Sequence, residues 1–339
     1  MTKILCEADT RVGSILNWLG SDLRFNVESI ATVSGDASFR RYFRVGMTSE
    51  TYIVMDAPPE RETIEPFIHV AGLLDGAGVH VPDILAINRT EGFLLLSDMG
   101  SRSYLDQLDE STEQRLYDDA IDTLLRFQGR VAVRGSGLPC YDEALLSREI
   151  TVFFEWFLEK RLGMHLEGNN LVMLNSISEL LIESALEQPC VCVHRDYHSR
   201  NLMELDSANP GVLDFQDAVV GPITYDLVSL LRDCYIAWPE VLIEKWMRKF
   251  HARLGDQDVS VDYDQFCRWF DLMGVQRHMK AVGIFSRLDI RDDKPGYLAD
   301  IPRTLSYVRT VCQKYPELSH MDDFLEAEVF SRLDRSVAG

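Results

Sequence analysis

Over the first hundred residues the apolar positions come in short runs and alternations, a pattern that predicts strands. Residues 26–33, 41–45 and 51–55 form three such runs, with turn signals at 35–38 and 46–50. Asp56-Ala57-Pro58-Pro59 then stops the sheet, because proline has no N–H to give to a ladder. Between 64 and 74 the period lengthens. Ile64, Phe67, Ile68, Ala71 and Leu74 fall on one helical face, which Gly76 and Gly78 close. Residues 79–87 and 92–96 predict two further strands, and 97–100 a loop.

Past Gly100 the texture changes. Residues 113–127, 149–162 and 171–186 read as amphipathic helices. The last hundred residues are helical in pattern, with Pro239, Pro295 and Pro302 as punctuation. One strand-rich insert interrupts, at 190–215. Strands and helices that segregate along the chain predict an α+β fold rather than alternating α/β. The expected division is a strand-rich, nucleotide-binding lobe over 1–100 and a mainly helical catalytic and substrate-binding lobe over 101–339.

Composition narrows this further. The chain has 339 residues, 46% of them hydrophobic, enough to bury a substantial core. It holds no run of eighteen apolar residues, so no membrane span or membrane partner is expected. Residues 1–9 contain no apolar stretch of signal-peptide length, which points to a protein that stays in the cytoplasm. Seven cysteines, odd in number and scattered, predict reduced thiols rather than a disulfide or metal framework. The net charge of −20 repels phosphate backbones and argues against a nucleic-acid partner. It would steer a polycation inward, whereas an anionic small molecule would need a local basic pocket.

Chemistry concentrates in 191–215. A buried-strand pattern, Val191-Cys192-Val193, leads into His194-Arg195-Asp196-Tyr197-His198-Ser199-Arg200-Asn201. A predicted hairpin follows and returns at Val212-Leu213 to Asp214-Phe215. Asp196 and Asn201 thus bracket a loop, and Asp214 ends the returning strand. Phosphoryl transfer needs this set, because its catalysis is mainly positioning and charge neutralisation. Asp196 suits the carboxylate that orients an attacking hydroxyl and takes its proton. Asn201 and Asp214 suit the oxygen ligands of Mg²⁺, which keeps several waters and takes few protein ligands. The spacing matches that of protein-kinase catalytic loops.

At these residues the chain resembles the aminoglycoside phosphotransferase, or choline-kinase-like, branch of the bilobal protein-kinase-like fold. His194 to Leu202 looks like that family's catalytic loop, and Asp214-Phe215-Gln216-Asp217-Ala218 like its metal-binding motif. Gly221-Pro222-Ile223-Thr224-Tyr225-Asp226-Leu227 looks like the segment whose Asp, here Asp226, braces the loop. Leu94 to Gly100 is similar to the hinge that meets adenine, which implies nucleotide contacts at Ser97, Asp98 and Met99. Three more signatures, at 35–43, 54–59 and 78–82, resemble the bacterial kinases that phosphorylate the C1 hydroxyl of N-acetylmuramate and N-acetylglucosamine in cell-wall recycling. The resemblance implies ATP and Mg²⁺ as cofactors and a small amino sugar as acceptor. The alternatives are an aminoglycoside kinase and a catalytically dead binding protein on the same scaffold.

One departure matters. Kinases of this fold often carry a third-strand Lys paired with a helix Glu, but the position here is Met55, and no Lys lies between Lys3 and Lys160. Another cation must then meet the phosphates. Arg40 and Arg41 are the candidates, since a guanidinium forks onto phosphate oxygens. The backbone N–H groups of Gly35, Asp36, Ala37 and Ser38 would form a nest beside them. Without the Lys, Glu62 and Glu65 read as a solvated helix face. His194 is expected to brace the loop. His198 is a candidate to touch sugar or phosphate, with a structural role as the alternative. Asp217 is a candidate for substrate or a second metal, with an exposed turn carboxylate as the alternative.

Overall fold

The computed structural model describes residues 9–35, 39–48, 50–257 and 259–333. The chain divides into two compact units. The first comprises the chain to Arg102 together with Met203–Asp217, and the second Ser103–Leu202 together with the chain from Ala218 onward.

The first unit opens with helix α1 (Thr10–Asn17), whose N-cap Asp9 accepts the backbone N–H of Arg11 at 3.0 Å. Five antiparallel strands follow: β1 (Ser29–Gly35), β2 (Arg41–Gly46), β3 (Thr51–Asp56), β4 (Ile84–Asn88) and β5 (Phe93–Ser97), in the order β1-β2-β3-β5-β4. Helix α2 (Glu65–Gly76) connects β3 to β4. Trp18, Phe43, Val54, Phe93 and Leu95 build the core between α1 and the sheet. Residues 79–83 are irregular and β4 begins only at Ile84, because Pro82 has no N–H for pairing. Gly92 has φ +73, and a Cβ there would sit 2.0 Å from the Ala57 carbonyl oxygen. Only glycine fits that turn into β5.

The segment from Met203 belongs to this unit rather than to the helices that flank it in sequence. Its ribbon, β7 (Leu202–Met203) with β8 (Gly211–Val212), is tied down by Val212 N–H to the His80 carbonyl at 2.8 Å. Glu204 N–H donates to the Arg102 carbonyl at 2.8 Å.

The second unit is helical: α3 (Tyr104–Gln107), α4 (Glu113–Arg130), α5 (Glu143–Val152), α6 (Gly168–Leu186), α7 (Tyr225–Leu231), α8 (Glu240–His251), α9 (Tyr263–Asp292), α10 (Ile301–Lys314) and α11 (Ser319–Phe324). Strand β6 (Cys190–Val193) pairs antiparallel with β9 (Val219–Pro222), Val191 opposite Gly221. Strand β9 is one that the apolar pattern of the sequence does not single out. Helix α9 is buried around its whole circumference from Trp269 to Lys280, so it is the axis of this unit. Gly283 lets it approach the Val152–Phe153 backbone, where a Cβ would lie 2.6 Å from main-chain atoms. Among the described residues no helix is long and apolar enough to cross a membrane.

Candidate active site

In the second unit the loop between β6 and β7 carries His194 to Asn201. Asp226, at the start of α7, is fully buried, and its two oxygens accept the backbone N–H of His194 at 2.7 Å and of Arg195 at 2.9 Å. Burial pushes the Asp226 carboxyl up to about 7, with these two bonds pulling the other way. His194 is buried and its Nδ1 accepts Asp196 N–H at 3.2 Å. Arg195 sits in the left-handed region at φ 78, a conformation that costs about 1 kcal/mol or more in a non-glycine residue and is held by the Asp226 brace. Asn201 donates Nδ2–H to the Asp196 carbonyl at 3.0 Å, which orients its amide oxygen the other way.

The Asp196 carboxylate itself takes no hydrogen bond from the described residues. Burial raises its pKa, but the charges of Lys280, His198, Arg277 and Arg195 outweigh that and hold it below the ordinary aspartate value. It is therefore an ionised acceptor left available for a hydroxyl proton. His198 is buried, and burial chiefly lowers its pKa while Asp233 and Asp196 pull the other way; its Nδ1 has no partner and its ring meets Tyr235 edge-on at 5.3 Å.

Several residues around the loop escape a reading of the sequence. Asp233, buried, accepts Ser199 N–H at 2.9 Å and Ser199 Oγ–H at 2.5 Å, a second brace on the loop. Glu149 of α5 is buried and pairs with Arg195 and with Lys280, the latter at 2.9 Å. Burial pushes Glu149 up, but Lys280 and Arg195 outweigh it and keep the carboxylate ionised. Lys280 also donates to the Tyr225 hydroxyl at 3.0 Å. The signal available in the sequence is Gln276, Arg277 and Lys280 standing inside an apolar stretch of α9, since Lys and Arg are seldom buried without a purpose.

In the first unit, Asp214 follows the ribbon at φ 61, and its Oδ1 accepts Gln216 Nε2–H at 2.8 Å. Arg40 lies 3.8 Å from both Glu62 and Asp217. Glu62 is thus not the solvated surface residue expected; Arg40 supplies its cation, while Glu65 pairs with Arg89. Arg41 is engaged elsewhere, by Asp9 and by Asp56 at 2.6 Å. Arg44 forks onto Asp98, at 2.6 and 3.0 Å, and holds the Asp98 carboxyl down against burial. Ser97 Oγ accepts Asp83 N–H at 2.8 Å, and Met99 is buried. The side chains of Ser97 and Asp98 are therefore occupied, which leaves backbone at the hinge. Gly35 ends β1 opposite Arg41, and Asp36, Ala37 and Ser38 lie outside the described residues.

The donors assigned to a metal, one amide oxygen and one carboxylate, fit a hard cation that retains waters and phosphate ligands. Among the described residues no three His, Cys, Asp or Glu side chains gather to enclose an ion, so an all-protein cage is not what they build.

Fold and loop chemistry together define a kinase-like phosphotransferase. The chain belongs to the phosphotransferase enzyme family, whose model matches residues 29–261. It is 49% identical over 294 residues to the N-acetylmuramate/N-acetylglucosamine kinase of Pseudomonas aeruginosa, covering 86% of each chain. It is 43% identical over 331 residues to the protein of that name in Pseudomonas putida, covering 94% of this chain and 97% of that one. In fold it is similar to an ADP-bound aminoglycoside phosphotransferase, with a TM-score of 0.60 at 14% identity over 88% of this chain and 97% of that one.

Proposed function

We propose that the chain is an ATP-dependent, cytoplasmic sugar kinase that phosphorylates the anomeric C1 hydroxyl of N-acetylmuramate and N-acetylglucosamine in cell-wall recycling. The observation that carries the reading is the Asp196 carboxylate, held ionised by buried cations yet bonded to none of the described residues. The relatives' names supply the acceptor. Asp196 orients the C1 hydroxyl and takes its proton as the C1 oxygen bonds to the γ-phosphorus and the bond to the β-phosphate oxygen breaks, releasing ADP. A hemiacetal hydroxyl is more acidic than an ordinary alcohol, so a weakly basic carboxylate suffices. Asn201 and Asp214 are the residues that would hold Mg²⁺, and the ion would supply charge neutralisation on the phosphates. Arg40, steered by Glu62, replaces the absent strand Lys at the nucleotide, because Arg41 and Arg44 are committed to Asp56 and Asp98. The backbone at Ser97–Met99 receives the base.

The test is direct. Purified protein is incubated with γ-labelled ATP, Mg²⁺ and, in separate tubes, each amino sugar, an aminoglycoside and choline, and phosphorus NMR locates the new ester. A C1 phosphate on either sugar supports the reading. Turnover of the aminoglycoside alone overturns it.

A further inference from the structure

We infer that Arg277 anchors the carboxylate that N-acetylmuramate carries and N-acetylglucosamine lacks. This rests on the sugar-kinase reading above and assigns the residue that separates its two acceptors.

A chain of net charge −20 binds an anionic sugar only through a local cation. The second unit holds three cations in or beside the catalytic loop, Arg277 and Lys280 buried and Arg195 partly so. Two of them, Arg195 and Lys280, share Glu149. Arg277 is different. Its side chain lies in the middle of α9 with the residue 5% exposed, its Nε has no partner, and its one hydrogen bond among the described residues runs to the Cys234 sulfur at 3.9 Å. No carboxylate among the described residues forms an ion pair with it. A guanidinium cannot shed its charge, and leaving it buried without an oxygen partner is costly. The missing partner is then an anion that arrives.

Placement makes that anion the acceptor's. Cys234 follows Asp233, whose carboxylate holds Ser199 of the catalytic loop through N–H at 2.9 Å. Arg277 therefore stands behind the loop that presents Asp196, and its charge is one of those that keep Asp196 ionised. His198, in the same loop, adds a second buried nitrogen without a partner. N-acetylmuramate bears its lactyl carboxylate on the C3 oxygen, and a single ring carbon separates C3 from the reacting C1. A guanidinium forks onto a carboxylate with two parallel bonds, and an N-acetylglucosamine hydroxyl at C3 gives it no charge to meet.

The experiment compares kcat/KM for the two sugars in the wild type, Arg277→Met and Arg277→Lys. Losing a charge-assisted bond is expected to lower the N-acetylmuramate to N-acetylglucosamine ratio about tenfold to hundredfold in Arg277→Met. Arg277→Lys should recover part of it. The wild type is also assayed with the carboxamide of N-acetylmuramate, which tests the same contact without altering the protein. It should be discriminated against by a similar factor, and Arg277→Met should erase that discrimination. An unchanged ratio in Arg277→Met, or a wild type indifferent to the carboxamide, overturns the inference while leaving the kinase reading intact. Should Arg277→Met fail to fold, the carboxamide comparison and Arg277→Lys decide. A wild type that phosphorylates neither sugar overturns the kinase reading itself.

Discussion

Each unit buries a carboxylate completely, Asp56 in the first and Asp226 in the second, and the two are held in opposite ways. Asp56 is matched by charge. Arg11 donates Nε–H at 3.0 Å, and Arg41, its cross-strand neighbour, donates at 3.1 and 2.6 Å. The result fastens α1, β2 and β3 together. Asp226 is matched by backbone, through His194 and Arg195 N–H. The cations of its neighbourhood are left to Glu149 and Asp196. A closed charge balance makes a structural fastening. An open one fixes loop geometry and keeps charge in reserve for a reactant, and unsatisfied buried groups are where function is to be sought.

The largest expected effects separate these two roles. Asp196→Asn removes the proton acceptor and should lower kcat about 10²–10⁴-fold, with melting temperature and ATP binding retained. A variant keeping a tenth of wild-type turnover would mean the open carboxylate is not the base. Asp56→Ala should do the reverse. It removes the buried carboxylate that Arg11 and Arg41 share, leaving them Glu91 and Asp9, and should cost about 2–4 kcal/mol in urea unfolding, with turnover per folded molecule preserved. A loss below about 1 kcal/mol would show the fastening to be an exposed pair in energetic terms.

The contrast also explains what the sequence discloses. Strands β2, β3 and β5 are legible because their apolar runs are local. The spacing of Asp196, Asn201 and Asp214, on which their proposed roles rest, is local too, within one loop and its hairpin. Glu149 is not. Read as the start of a helix at 149, it passes for a surface carboxylate. In fact α5 begins at Glu143, capped by Asp142 accepting Leu145 N–H at 2.9 Å, so Glu149 falls mid-helix and faces inward. Its partners Arg195 and Lys280 are far along the chain, and no local period reports such pairings. Arg40 and Arg41 look equivalent for the same reason: adjacent residues point to opposite faces at a strand's edge, and only the structure says which face holds Asp56.

That distinction yields the next effect in size. Arg40→Ala should raise the KM for ATP about tenfold or more, the loss of a charge-assisted contact to phosphate. Arg41→Ala should instead act on stability, through Asp56 and Asp9. Measuring ATP KM and urea midpoint for both variants sharpens the comparison, and equal ATP affinity in wild type and Arg40→Ala would remove Arg40 from the nucleotide site.

The smallest effect concerns the buried carboxylates themselves. Burial dominates at Asp226 and puts its pKa at about 7 in the folded state, against 3.8 for a free aspartate side chain. A group whose folded pKa is raised stabilises the fold fully below 3.8 and loses that contribution as pH rises through about 7. The stability of wild type minus that of Asp226→Asn should therefore fall over this window, by no more than about 1.4 kcal/mol per pH unit. Urea unfolding of both proteins across the window measures it. A difference that does not change with pH would mean the two N–H bonds keep Asp226 ionised throughout. A proton on either oxygen competes with the N–H of His194 or Arg195, so the same titration reports how firmly the catalytic loop is held.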